Sequence, residues 1–460
     1  MASEAITVAA TPYAGGVTTA KHADRAISQE TVRGGLFLAG RYGLGVLVSA
    51  GNMLVMTWWL GPHAYGLFVT AISLVAFLAV VSRGGIDTFL VRCEATPHGA
   101  LYETAGAIIL AMSLAMMALA ALITPLLVRW YGSREFVWPY LVLLATIPTS
   151  GLTGVPMAKL ERELDFRRIA AIELTGQVFG LIAAVALAWA KAGVWAPVAG
   201  QLVWQVFTLL ATLRASRLKP GLRLHPQHWR PMCRFGLGMT VSLRAWQLRT
   251  LVNPILVGRL AGTEAVAFVA LAIRIAEALG TFRLAAGRMA IAALARLQDR
   301  RDNFQSALKS ALFVQVVTLG PLLCAFALAG PFLLRHVIGP RWAPSLVIYP
   351  FIAAGVLVNS IFNLQASALF VLEHHWTVMR SYVAHVALLG GGTWLLFPRW
   401  GILGYGWAEL AACLAYYLIH RRLRNEFCIS LRNIALLAAA FTVVLFLPRL
   451  IALVFPNAFA

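Results

Sequence analysis

Asn52–Ile72 reads NMLVMTWWLGPHAYGLFVTAI, and Asn253–Ile273 reads NPILVGRLAGTEAVAFVALAI. Aligned without gaps, Asn52 falls on Asn253, Gly61 on Gly262, Ala64 on Ala265 and Ile72 on Ile273. In each stretch an apolar run stops at a glycine, a few polar residues follow, and a second apolar run begins. A second pair follows in the same order, GVWAPVAGQL from Gly193 and GILGYGWAEL from Gly401. The offsets, 201 and 208 residues, differ only by loop length. Either match alone is weak, because apolar stretches resemble one another by chance. Two in one order point to a duplicated unit.

The unit is a set of membrane helices. Hydrophobic residues make up 60% of the chain and charged residues 12%, a balance that no soluble globule of this size can bury. Apolar runs of about 20 residues, enough to cross a ~30 Å hydrocarbon core, recur at about 36–60, 64–82, 102–127, 136–156, 169–190, 193–213, 233–257, 262–287, 307–331, 344–371, 376–397, 401–420 and 432–455. The expected class is therefore an all-α, polytopic membrane protein. Its two pseudo-symmetric six-helix bundles are followed by one extra C-terminal helix. The first helix corresponds to the seventh and the sixth to the twelfth. Six is even, so both copies enter the membrane in the same direction, and the symmetry axis lies along the membrane normal.

Basic residues set the expected orientation. Lys21, Arg25, Arg33, Lys159, Arg162, Arg167, Arg168, the 214–234 connection, Arg296, Arg300, Arg301, Arg421, Arg422 and Arg424 all fall on one side. The other side holds isolated cases such as Arg129, Lys191, Arg259 and Arg341. This bias places the N-terminus in the cytoplasm and accounts for much of the net charge of +20. The expected units are a disordered tail (1–33), a first bundle (34–213), a basic linker (214–232), a second bundle (233–420), and a basic loop with an added helix (421–460). No large soluble domain fits between the spans. The five cysteines show no metal or disulfide spacing, so neither a metal nor another cofactor is expected, and the basic charge calls for no nucleic-acid partner. No acidic catalytic pair occurs, which argues against an enzyme.

Charges at lipid depth carry the functional reading, because each costs about 2.5–3.5 kcal/mol unless it meets water or a counter-charge. Arg41, Gly45 and Asn52 share a face of the first span. Trp246, Arg249 and Asn253 share a face of the seventh, with Arg244 directed elsewhere. Arg274, Glu277, Thr281 and Arg288 form a stripe on the eighth. The arrangement predicts a cationic cavity between the halves, suited to a diphosphate gripped by guanidinium groups. The candidate substrate contacts are Arg249, Arg274, Arg41, Arg244, Arg288, Asn52 and Asn253. Structural alternatives stand beside these roles. Arg274 and Glu277, at i and i+3, can neutralise each other, and Arg41 and Arg283 can snorkel to the head groups. Glu409 aligns with Gln201 and reads as a plain polar contact, while His374 and His375 read as solvated. Glu173 and Glu277 are the candidate ion-coupling acids. Pro254 cannot donate to the Thr250 carbonyl and is the expected kink and gate of the seventh span.

Several runs resemble a known family. LGPHAYGLFVTAISL from Leu60, VPMAKLERELDFRRIA from Val155, AGVWAPVAGQL from Ala192, VGRLAGTEAVAFVALAIRI from Val257, ALARLQD from Ala293 and IGPRWAPS from Ile338 are similar to the Wzx-like, WzxC-type polysaccharide transporters. These form a branch of the multidrug/oligosaccharidyl-lipid/polysaccharide exporter superfamily. The resemblance covers about residues 30–420. It implies a V-shaped, MATE-like fold and a flippase for undecaprenyl-diphosphate-linked oligosaccharide in exopolysaccharide or O-antigen synthesis. Implied partners are that lipid-linked substrate, membrane lipids, and a polymerase with other assembly proteins. Arg274 matches the arginine such sequences carry in the eighth span, whereas Asn253 stands where many relatives have Asp. The competing functions are a drug or cation antiporter, a peptidoglycan-precursor flippase and a membrane glycosyltransferase or polymerase. The arginine-rich spans disfavour the first, the motifs the second and the missing acidic site the third.

Overall fold

The computed structural model describes residues 45, 48, 51–52, 55–93, 99–218, 221–233, 245–281, 301–372, 374–427 and 431–454. Among these residues the chain is almost entirely helical and has no strand, and ten helices are long and apolar enough to cross a membrane. Two of the ten turn at a glycine. Val55–Ser82 contains Gly61 at φ 71°, and Trp246–Leu279 contains Gly262 at φ 78°. We label their arms α1 and α2 (either side of Gly61) and α7 and α8 (either side of Gly262). The other helices are α3 (Gly99–Leu122), α4 (Val137–Arg162), α5 (Phe166–Trp189), α6 (Trp195–Ser216), α9 (Asn303–Leu333), α10 (Pro340–Phe370), α12 (Ile402–Phe427) and α13 (Arg432–Leu450). Helix α11 (His375–Trp400) is less apolar, but its 26 residues reach about 39 Å at 1.5 Å per residue.

The duplication is written in the backbone. Gly61 and Gly262 both have positive φ, as do Gly193 and Gly401 at 58° and 55°. A third pair, not matched in the sequence comparison, joins them: Gly132 at 65° between α3 and α4, and Gly339 at 99° between α9 and α10. Side chains with a Cβ avoid this region, so each turn needs glycine. Because the helices alternate in direction, all these turns lie at one end. Exposed Trp58, Trp59, Trp138, Trp189, Trp195, Trp400 and Trp407 flank them, as expected of an aromatic belt at a membrane–water interface.

Within each half, small residues bring neighbouring helices together. A Cβ on Gly180 of α5 would lie 2.7 Å from the Gly200 carbonyl of α6, and one on Gly404 of α12 would lie 2.5 Å from the Leu396 carbonyl of α11. Such close approach supplies the van der Waals contact that drives helix association in lipid. The largest core lies in the second half, around α8, α9, α10 and α12, and takes in Met56 and Tyr65 from the first.

Candidate functional site

The two halves meet at the glycine end through a reciprocal clasp. Trp342, at the start of α10, reaches into the first half and donates its indole N–H to the Thr57 carbonyl of α1 (3.1 Å). Its ring packs edge-on against Tyr65 and Phe268, at centroid distances of 5.6 and 6.0 Å. In return, the α3–α4 connection of the first half grips α7. Trp130 Nε1 donates to the Ile255 carbonyl (3.0 Å) and the Tyr131 hydroxyl to the Pro254 carbonyl (3.1 Å). Arg259 lies over the Trp130 ring at 5.7 Å. Backbones nearly touch beside the clasp: a Cβ on Gly66 would sit 1.9 Å from the Thr263 carbonyl oxygen. His63 Nε2 lies 2.7 Å from Glu135 Oε2, and its Nδ1 faces Thr263 Oγ1 of the other half at 3.4 Å.

Local sequence explains why α7 offers those carbonyls. Pro254 has no N–H, and Asn253–Val257 relaxes into a π-helical turn in which the Gly258 N–H bonds back to the Asn253 carbonyl. The Pro254 carbonyl loses its usual i+4 donor and is taken by Tyr131. The kink expected at Pro254 is thus a π-turn with partners from the other half. Asn253 proves to be part of this turn: it is buried, and its Nδ2 donates to the Val266 carbonyl (3.2 Å), stapling α7 to α8. Its Oδ1 is buried and without a partner.

Deeper in α7, Arg249 Nη2 donates to Glu409 Oε1 of α12 at 2.5 Å. The Glu409 side chain is 2% exposed and that of Arg249 15%. Glu409, read from sequence as a plain polar contact, is therefore half of a buried ion pair. Gly355 of α10 makes room for it, since a Cβ there would lie 2.9 Å from Glu409 Cγ. The guanidinium stands over the Trp246 ring at 5.3 Å, and that ring packs against Tyr382 and His385 of α11. His385 Nδ1–H donates to the Ala412 carbonyl (3.0 Å) and its ring stacks on Tyr416, whose hydroxyl accepts from Asn359 Nδ2 (2.6 Å). Three buried polar atoms here have no hydrogen-bond partner: Arg249 Nε, His385 Nε2 and Glu409 Oε2.

The other expected site residues are distributed unequally. Arg274 and Glu277 are both exposed, and no hydrogen bond or ion pair joins them. The Arg274 charge acts on Tyr65 of the first half, and the Glu277 charge on Arg249 and Tyr405. Asn52, the repeat partner of Asn253, is half-buried, with its Oδ1 buried and without a partner. Glu173 is half-buried on α5, one turn from Gln177. Arg41, Arg244, Arg283 and Arg288 lie outside the described residues.

At the opposite end His374 is not simply solvated: its Nε2 lies 2.5 Å from Glu426, which Arg422 also holds at 2.9 Å. Just beyond α2, Arg83 donates to Ser150 Oγ (2.5 Å). Burial holds its pKa below the usual guanidinium range, an effect the Asp87 charge opposes.

Two helical halves repeated in sequence and backbone, clasped at one end and charged in between, define the two-bundle class of membrane carrier folds. The chain belongs to the polysaccharide biosynthesis protein family, whose sequence profile matches residues 55–347. It is 26% identical over 291 residues to the succinoglycan biosynthesis transport protein ExoT of Rhizobium meliloti (strain 1021), a match covering 62% of this chain and 58% of that relative. Among solved structures, the lipid II flippase MurJ in an inward closed conformation superposes with a TM-score of 0.72 at 12% identity, over 90% of this chain and 91% of MurJ. An inward-facing multidrug resistance MATE family transporter of the MOP superfamily gives 0.65 at 15% identity, over 81% and 94%. The resemblance read from the sequence holds, and so does the MATE-like, all-α membrane fold.

Proposed function

We propose that the protein is a flippase that carries an undecaprenyl-diphosphate-linked oligosaccharide from the cytoplasmic to the periplasmic leaflet of the inner membrane. The observation that carries this reading is the clasp. It joins the two halves at one end of the molecule, and Arg274 and Glu277 are exposed on α8. The basic connections lie at the unclasped end, which the positive-inside bias assigns to the cytoplasm. In this reading a state held closed at the clasped end loads its cargo from the cytoplasm. The bundles 34–213 and 233–420 rock about this space, the clasp parts, and α7 flexes at its π-turn. Arg249 and Arg274, with Arg41, Arg244 and Arg288, supply the guanidinium groups for the diphosphate, and Asn52 offers a further polar contact. The names of the matched proteins support an exported polysaccharide or a lipid-linked precursor as cargo. A polymerase and other assembly proteins would receive it.

A deletion strain tests this directly. It should retain lipid-diphosphate-linked oligosaccharide on the cytoplasmic leaflet and lose the surface polymer. Normal polymer combined with new sensitivity to cationic dyes would identify a drug exporter instead.

A further inference from the structure

We propose that a diphosphate anion binding at Arg249 is coupled to uptake of a proton by Glu409. The proposal rests on the flippase reading and adds a step to it. Arg249 is the more accessible member of the pair: its side chain is 15% exposed, whereas that of Glu409 is 2% exposed. Its Nε is unpartnered and one Nη is committed to Glu409 Oε1. With Nε buried, a diphosphate that takes the guanidinium in bidentate fashion uses the Nη1–Nη2 edge and so competes with Glu409 for Nη2.

The loser of that competition is left inside the protein. A buried carboxylate without its counter-ion neutralises itself rather than remain charged. Glu409 has somewhere to put the proton, because Oε2 is buried and unpartnered. Among the described residues the charged and titratable groups around it are Arg249 on α7, Glu277 on α8, His385 on α11, and Tyr405, Cys413 and Tyr416 on α12 itself, whereas α10 presents Gly355. Among the described residues around Glu409 only Arg249 is a cation, so none of them replaces it once the substrate holds it. His385 is disfavoured for that role: its Nδ1–H is committed to the Ala412 carbonyl, and a proton added at the buried Nε2 would meet no acceptor.

The balance is simple. Arg249 keeps its proton throughout, the Glu409 carboxylate becomes a carboxylic acid, and the proton comes from water in the open cavity. The complex gains one positive charge relative to its parts. By linkage, the anion raises the proton affinity of Glu409 by the same factor by which the proton raises affinity for the anion.

The test is calorimetry on the full-length protein in nanodiscs, titrated with a short-chain polyprenyl-diphospho-N-acetylglucosamine in two buffers of different ionisation enthalpy at one pH. The difference in heat counts the protons. Wild type should take up about one proton per probe bound. Glu409→Gln, whose amide oxygen still accepts from Arg249, should bind about tenfold more tightly and take up none. Binding without proton uptake in wild type overturns the proposal, as does undiminished uptake in Glu409→Gln or its loss in Glu277→Gln instead. Failure of wild type to bind the probe at all overturns the flippase reading, and this step with it.

Discussion

The two halves turn on the same glycines and differ where charge matters. Offsets of 201 and 208 residues put Val48 opposite Arg249 and Gln201 opposite Glu409. The first half therefore carries a neutral pair where the second buries an ion pair. Positive-φ glycine is a backbone requirement, so it persists in both copies of a duplicated fold. Polar chemistry at mid-membrane is free to diverge, and here it has moved to one side. The carrier is symmetric in its hinges and asymmetric in its site.

The sharpest way to break that contrast is to strand one charge. Arg249→Ala or Glu409→Ala leaves its partner buried and uncompensated, which costs about 3–5 kcal/mol. Thermal unfolding in detergent should show a large drop for either variant. Installing the residues of the first half, Arg249→Val with Glu409→Gln, removes both charges together. Stability should return to near wild type while lipid-diphosphate binding is lost. A double variant as unstable as the singles would show that the asymmetry is structural.

Next in size are the glycine contacts that bring the halves together. Gly66→Ala would place a Cβ 1.9 Å from the Thr263 carbonyl oxygen. Neither backbone can yield without parting the halves, a penalty of the 1–3 kcal/mol order seen for overpacking. Cysteine labels between the glycine-end loops should become more accessible, as in an outward-open population. Gly61→Ala and Gly262→Ala, forced into left-handed backbone at φ 71° and 78°, should each destabilise by about 1–2 kcal/mol. Unequal losses would show that one hairpin tolerates the strain better.

What was legible in the sequence follows from which constraints leave a residue-type signature. The turns at Gly61, Gly193, Gly262 and Gly401 were visible because only glycine fits them. The Gly132–Gly339 pair escaped because its flanking residues, YGSREFVW and IGPRWAPS, have diverged. The Arg249–Glu409 pair spans 160 residues, and helical phase says nothing about partners on another helix. A clue was nonetheless present. Arg249 lies 13 residues before Gly262 and Glu409 lies 8 after Gly401. At 1.5 Å per residue both fall within roughly 12–20 Å of the same end, two opposite charges at like depth, each needing a partner. The Arg274–Glu277 spacing left pairing open as an alternative, and no ion pair joins the two among the described residues. The clasp was illegible, since its acceptors at Thr57, Pro254 and Ile255 are backbone carbonyls, which any residue supplies.

The clasp offers a finer comparison, because each half grips the other. Trp342→Phe keeps the ring and deletes the donor to Thr57, and Trp130→Phe does the same to Ile255. Each loses one hydrogen bond of about 1 kcal/mol. Each should shift the balance of inward- and outward-facing populations by roughly fivefold, read by electron–electron distance measurements across the glycine end. Equal shifts would mean that the clasp opens as one unit. A dominant Trp342 would mean that the second half holds the gate.

The smallest effect is expected at His63. Its contacts with Glu135 and Thr263 join three connections at the glycine end. However, His63 and Glu135 are 55% and 63% exposed, so water and salt screen the interaction, and the Thr263 contact is long at 3.4 Å. Exposed pairs of this kind contribute about 0–1 kcal/mol. His63→Gln keeps a side chain able to bond both neighbours without a charge, so the population shift should be under threefold and should vanish at high salt. The same distance measurement that reports on Trp342 and Trp130 serves here. A shift as large as theirs would move the seal from the buried aromatic donors to this exposed triad, and the reciprocal symmetry of the clasp would no longer describe how the outer end stays closed.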